Sequence, residues 1–158
     1  MNKVRQQIID QIVSLDEQRI KLLQQEAKTN LFVFNRHVLR VDLEKDRVPL
    51  APFHRELCNF VQDSRDKKKL ILVPRLHLKS TLVTIGYSLF RIVNDPNIRI
   101  LILSGKHENA VDFVGAIEDH LTKNEHLKTI FGDLAENPLE WKTGRFTLRA
   151  NRTSLGEK

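Results

Sequence analysis

The sequence predicts an α/β fold: a parallel-sheet core preceded by helices. Residues 70–73 (Leu-Ile-Leu-Val) and 98–103 (Ile-Arg-Ile-Leu-Ile-Leu) are strongly apolar runs bounded by polar turns. That pattern suits strands buried on both faces. Residues 80–93 between them read as a helix. Two apolar strands joined by one helix make a right-handed βαβ unit.

The elements follow in order. Val4, Ile8, Ile12, Leu15 and Leu22 recur at helical spacing among polar residues, which predicts one amphipathic helix over 3–28. Thr29 and Asn30 are suited to end it and cap a second, more apolar helix over 31–39. A polar loop over 42–52 closes on Pro49 and Pro52. Residues 53–62 form a short helix with Phe53, Leu57, Phe60 and Val61 on one face, and 63–69 form a charged turn. The first strand, a turn over 74–79 and the helix over 80–93 come next. Asn94-Asp95-Pro96-Asn97 turns the chain into the second strand. Helices over 108–123 and 125–131 lead to Gly132 and a loop through Pro138. Residues 139–142 and 145–149 alternate like a hairpin about Thr143-Gly144. Two units result: an N-terminal amphipathic helix over 1–29 and a second region over 30–158.

Composition narrows the function. The chain has 158 residues, 41% of them hydrophobic, enough for a core and too apolar for disorder. No apolar run reaches the roughly 18 residues of a membrane span. The N-terminus lacks the unbroken apolar stretch of a signal peptide. A lone cysteine, Cys58, rules out an internal disulfide and reads as a small core residue. Net charge +6 favours partners that carry phosphate. The six histidines show no metal-ligand spacing.

Most informative is Pro74-Arg75-Leu76-His77-Leu78-Lys79-Ser80-Thr81, set where the first strand gives way to a helix. In a phosphate-binding loop, backbone N–H groups and a helix N-terminus surround the phosphates. A Lys reaches the β/γ-phosphates, and a Ser or Thr hydroxyl holds Mg²⁺. Lys79 and Ser80 stand in those two places. Val73 and Leu78, however, stand where Gly-x-x-x-x-Gly-Lys-Ser/Thr has glycine. Glycine serves there because the loop needs unusual dihedrals.

Pro-Arg-x-His-x-Lys-Ser-Thr after an apolar run resembles the deviant Walker A motif of the large terminase subunit of tailed bacteriophages, the DNA-packaging ATPase. The neighbouring segments follow a similar order. An aromatic helix like residues 31–39 and a segment like Pro52-Phe53-His54-Arg55 come before the motif. A strand like 100–104, a helix, and a hairpin containing Trp141 come after it. The resemblance spans roughly residues 30–155. It implies a P-loop core of the ASCE, RecA-like type with ATP and Mg²⁺ as cofactors. Lys79 would bind the β/γ-phosphates and Ser80, or else Thr81, the Mg²⁺. Arg75 would stabilise charge on the γ-phosphate, its alternative being an ion pair with a neighbouring carboxylate. His77 would touch phosphate or shape a loop without glycine. Phe53 would stack on adenine with His54 reading its edge, the alternative being that Phe53 is a core anchor.

Partners follow from the same resemblance: double-stranded DNA, a homo-oligomeric ring, a portal and a small terminase subunit, in the host cytoplasm and not in the mature virion. Lys67, Lys68 and Lys69, beside Arg65, are candidates for DNA phosphate, as is Lys106 in the Ser104-Gly105-Lys106 turn. The usual reading of such a charge run is a solvated turn, and of Lys106 an exposed Lys in a Gly-assisted turn. The Walker B carboxylates expected at the end of a buried strand have no match. Residues 98–103 end in Ser-Gly-Lys, and Glu118-Asp119 lies in a helical context. The family places that strand and a nuclease domain after the hairpin, so ATP hydrolysis by these residues alone is not expected. Arg145, Arg149 and Arg152 are undistinguished candidates for a trans-acting Arg. Two other readings stay open: a non-catalytic nucleic-acid-binding module and a small P-loop kinase.

Overall fold

The computed structural model describes residues 3–41, 49–136 and 140–148. The expected loop over 42–52 falls partly, and the tail after 148 wholly, outside them. Helix α1 runs Lys3–Thr29. Asn30 then caps α2, Leu31–Val33, its Oδ1 accepting from the Phe32 and Val33 N–H groups at 3.0 and 3.2 Å. The helix continues as a π-helical segment, Phe34–Val38. Gln62, at the end of α3 (Pro52–Gln62), clamps this junction. Its Nε2 donates to the Thr29 carbonyl, and its Oε1 accepts from the Leu31 N–H at 2.8 Å. A second π-helical segment, Ser80–Tyr87, runs into α4, Ser88–Asn94. Helices α5, His107–Lys123, and α6, Glu125–Phe131, follow. Strands β1, Glu140–Lys142, and β2, Arg145–Thr147, pair antiparallel, with Trp141 opposite Phe146.

Helices therefore dominate, and the parallel-sheet α/β core is overturned. Among the described residues the only sheet is the two-stranded hairpin. Residues 70–73 and 98–103 are not helical and belong to no ladder. A strand exists only when a neighbour takes up its N–H and C=O groups. An apolar run announces its hydrophobicity but not its partner. These runs also bury one side only. Ile71, Ile98 and Ile102 pack on the core, whereas Leu70, Leu72, Leu101 and Leu103 face outward.

The core lies between helices. Phe34 is fully buried, edge-on to Phe90 at 5.7 Å and tilted against Phe131 at 5.9 Å. Leu31, Leu82, Leu89, Leu121 and Leu127 fill the space around it. Gln24 Nε2 ties α1 to α6 by donating to the Ile130 carbonyl at 2.7 Å. Asn35 is also fully buried. Its Nδ2 donates to the Leu82 carbonyl at 3.4 Å and lies 3.8 Å from Cys58 Sγ. The two π-helical segments thus meet across one side chain. That approach requires Gly86, because a Cβ there would sit 1.9 Å from Asn35 Oδ1. The expected face of α3 is shifted. His54, Leu57, Cys58 and Val61 are buried, whereas Phe53 and Phe60 are exposed.

Two outcomes test this packing. Gly86→Ala should lower stability in urea unfolding by about 1–3 kcal/mol, because Asn35 has no room to retreat. Burial raises the Cys58 thiol to about 11 against a small opposing effect of Asn35. Ellman's reagent should therefore leave the native protein unlabelled at about pH 8 and label it at once in denaturant.

Candidate functional site

The loop over 74–79 joins the non-helical apolar segment 70–73 to the helix that starts at Ser80. Its backbone does what the sequence pattern seemed to forbid. Leu76 has φ +67° and Leu78 φ +54°, both left-handed without being glycine. Such a conformation costs a β-carbon-bearing residue roughly 1–2 kcal/mol. Leu78, in the place of the second motif glycine, thus supplies the dihedral glycine would. Its partly buried side chain packs on the core, which holds it there. Leu76 has no such compensation, being 95% exposed.

After this turn the Leu78 carbonyl accepts from the Leu82 N–H at 2.8 Å and opens the helix. The N–H groups of Lys79, Ser80 and Thr81 precede that bond and have no backbone acceptor among the described residues. A helix start with free amides and a nearby Lys is an anion-binding arrangement. His77 Nδ1 lies 2.8 Å from the Arg75 carbonyl, which braces the loop across Leu76. Arg75 and Lys79 are exposed, with no acidic partner among the described residues.

The start of α3 stands beside this loop. The Phe53 ring lies 5.7 Å from the His77 ring and 3.8 Å from the His54 ring. Pro52 begins α3, and His54 closes its first turn. His54 Nδ1 accepts from the Ala51 N–H at 2.8 Å. The ring proton is thereby assigned to Nε2, which is buried with no hydrogen-bond partner. A buried orphan donor is costly. Burial foremost holds the His54 imidazole below its ordinary pKa of 6.5, against an opposing interaction with the His77 backbone.

The structure thus brings together Phe53, His54, Arg75, Leu76, His77, Leu78, Lys79 and Ser80, from two separate stretches of sequence. Pro74 and Thr81 flank them in the chain. Lys69 is committed elsewhere. Its ammonium donates to the Phe60, Val61 and Asp63 carbonyls at the end of α3 and lies 5.3 Å from the Phe60 ring centre. Lys67, Lys68 and Lys106 are exposed and unpaired among the described residues. Arg65 pairs with Asp63. Of the Arg candidates for a trans role, Arg145 pairs with Glu140 at 2.7 Å. Arg149 and Arg152 lie outside the described residues. Sequence reasoning missed Asn35 and Gly86, which seat the helix behind the loop. An Asn amid the apolar residues 31–39 was the available signal.

A cleft of about 710 Å³ lies apart from the loop residues, lined by Val111, Gly115, Glu118, Lys142, Thr143 and Gly144. Glu118 Oε1 is buried there without a partner, and burial, with Asp119 beside it, raises its carboxyl pKa. Among the described residues no group of three or more His, Cys, Asp or Glu is placed to hold a metal. No described helix is long and apolar enough to cross a membrane.

His54 makes the site sensitive to acid. Its pKa is lowered in the folded state, so its contribution is intact above 6.5 and is lost as pH falls through the folded value. Melting temperature should drop as pH falls below 6.5, and His54→Gln should flatten that drop. Leu76→Gly should raise stability by up to about 1 kcal/mol in chemical denaturation, because it relieves a left-handed residue with almost no burial to lose. No family model, curated protein or solved structure matches the chain.

Proposed function

We propose that the chain is the ATP-binding part of a DNA-packaging motor of the large-terminase type, with residues 74–81 as its phosphate loop. One observation carries the reading: Leu78 holds a left-handed φ of +54° directly before Lys79-Ser80 at the start of a helix. Strain of that kind persists where the surrounding structure holds it, and it clusters at ligand clamps. The orphan Nε2–H of buried His54 next to Phe53 supports the same reading from the other side of the loop.

The residues fit a magnesium nucleotide. Lys79, with the amides of Lys79, Ser80 and Thr81, would take the phosphates, and Ser80 Oγ would join the Mg²⁺ shell. Arg75, whose guanidinium has no partner among the described residues, would take the γ-phosphate. Exposed Phe53 would stack on the base, and His54 Nε2 would donate to its edge. ATP supplies the phosphoryl group whose transfer drives movement; these residues bind and orient it. Lys67, Lys68 and Lys106 would meet duplex DNA phosphate, inside a ring of copies engaging a portal and a small subunit in the host cytoplasm.

Titration with a fluorescent ATP analogue and Mg²⁺ tests the reading. Binding should be measurable and fall at least about tenfold in Lys79→Ala with the melting temperature unchanged, since Lys79 is exposed. Equal binding by wild type and Lys79→Ala would refute the proposal and favour a non-catalytic nucleic-acid-binding module.

A further inference from the structure

The cleft between α5 and the hairpin has no part in nucleotide binding. At about 710 Å³ it falls in the size range of small-molecule sites. Val111, Gly115 and Glu118 line it from one face of α5, being four and three residues apart. Lys142, Thr143 and Gly144 line it from the hairpin turn. Gly144 has a local reason to be glycine. Its φ is +75°, and a β-carbon there would come 3.3 Å from Val111 Cγ2. Gly115 has none. It stands in the middle of a 17-residue helix, where glycine is weaker than alanine. A β-carbon there would meet nothing within 4 Å, so no close packing requires its absence. The missing side chain serves to keep the cleft open.

Charge defines the ligand. The Glu118 carboxylate makes no hydrogen bond or ion pair among the described residues. Its Oε1 is sealed from solvent, whereas the other oxygen is not. The neighbouring cations are committed elsewhere. Lys123 pairs with Asp119 at 2.6 Å. Lys142 Nζ pairs with Glu140 Oε1 at 2.8 Å, and Arg145 holds Glu140 Oε2 at 2.7 Å. A partly buried carboxylate without a counter-ion is costly, and a cation that reaches it relieves that cost. An anion would instead face Glu118 and compete with Glu140 for Lys142. A metal ion needs more ligands than one carboxylate, and among the described residues no group of three or more His, Cys, Asp or Glu is placed to hold one. One ammonium or guanidinium needs only one carboxylate. Val111 and the bare Cα of Gly115 give an apolar bed for the chain that carries it. Lys142 in the opposite wall favours a single positive charge over several.

We propose that the cleft between α5 and the hairpin binds a small organic monocation, an ammonium or guanidinium on a short aliphatic chain. The cationic head pairs with the accessible oxygen of Glu118, and the chain lies over Gly115 against Val111. The cleft shares no residue with the loop over 74–81, so it acts whether or not that loop binds nucleotide.

The probes are n-butylguanidinium and n-butylammonium, titrated into the intact chain at constant ionic strength, with neutral n-butylurea and anionic butyrate as controls. Amide NMR shifts read both affinity and place. The cations should give saturable shifts at Gly115, Glu118, Thr143 and Gly144, with a Kd on the order of 1 mM or tighter. The urea and butyrate should bind at least about tenfold more weakly. Glu118→Gln should weaken cation binding at least about tenfold while the melting temperature holds or rises, because an unpaired charge is removed. Gly115→Leu should do the same by filling the cleft, with the helix strengthened. Cation affinity unchanged in both variants, absent shifts at these amides, or equal affinity for butyrate would overturn the proposal. So would a dimer in sedimentation that Glu118→Gln dissolves, because the cation would then be a side chain of a second copy.

Discussion

Asn35 pressed onto Gly86 is the contact on which the arrangement depends. It sits in the centre of the helical core, where the segment Phe34–Val38 meets Ser80–Tyr87. Its amide donates to the Leu82 carbonyl, so the side chain bonds backbone rather than filling space alone. Because Gly86 has no β-carbon, the two helical segments approach closely enough for Phe34 to reach Phe90 and for Leu82 and Leu89 to be sealed. π-helical turns are uncommon in soluble proteins and recur at functional sites. Here both flank this one contact, and the second begins at the residue after Lys79.

From that contact the candidate site follows mechanically. The helix from Ser80 is fixed at Gly86, so the loop before it must turn sharply to meet its start. Leu78 turns left-handed and keeps its side chain on the core. Leu76 turns left-handed into solvent. The strain at Leu78 is offset by burial, whereas that at Leu76 is held only by its neighbours. α3 docks beside the same helix and presents Phe53 and His54 to the loop. His54, a residue only 3% exposed, leaves its Nε2 without a hydrogen bond, which is a poor choice for stability alone. It has a purpose if a ligand completes it.

The apolar runs carry the opposite lesson. Residues 70–73 and 98–103 read as interior strands because nearly every side chain in them is apolar. The helical core accepts only one side of each. Their hydrophobicity was legible, but not that the helical core would cover Ile71, Ile98 and Ile102 and leave the leucines outside. The same limit displaced the face of α3. Spacing grouped Phe53 and Phe60 with Leu57, yet packing turned the helix so that His54 and Cys58 are covered instead. Two or three turns give an apolar stripe too short to set the phase when a histidine can satisfy one ring nitrogen on its own helix start.

The sequence by itself determined where the helices lie, since the spacing of apolar residues and the residues Asn30 and Pro52 depend on neighbours within a turn or two. It also marked Lys79-Ser80 and the Phe53-His54 pair by residue type and order. Only the tertiary structure decided whether the apolar runs are paired, which side of them is covered, and that a leucine does the work of glycine at position 78. Those outcomes depend on which distant surface is near enough to accept a hydrogen bond or bury a side chain, and no local rule of sequence contains that distance.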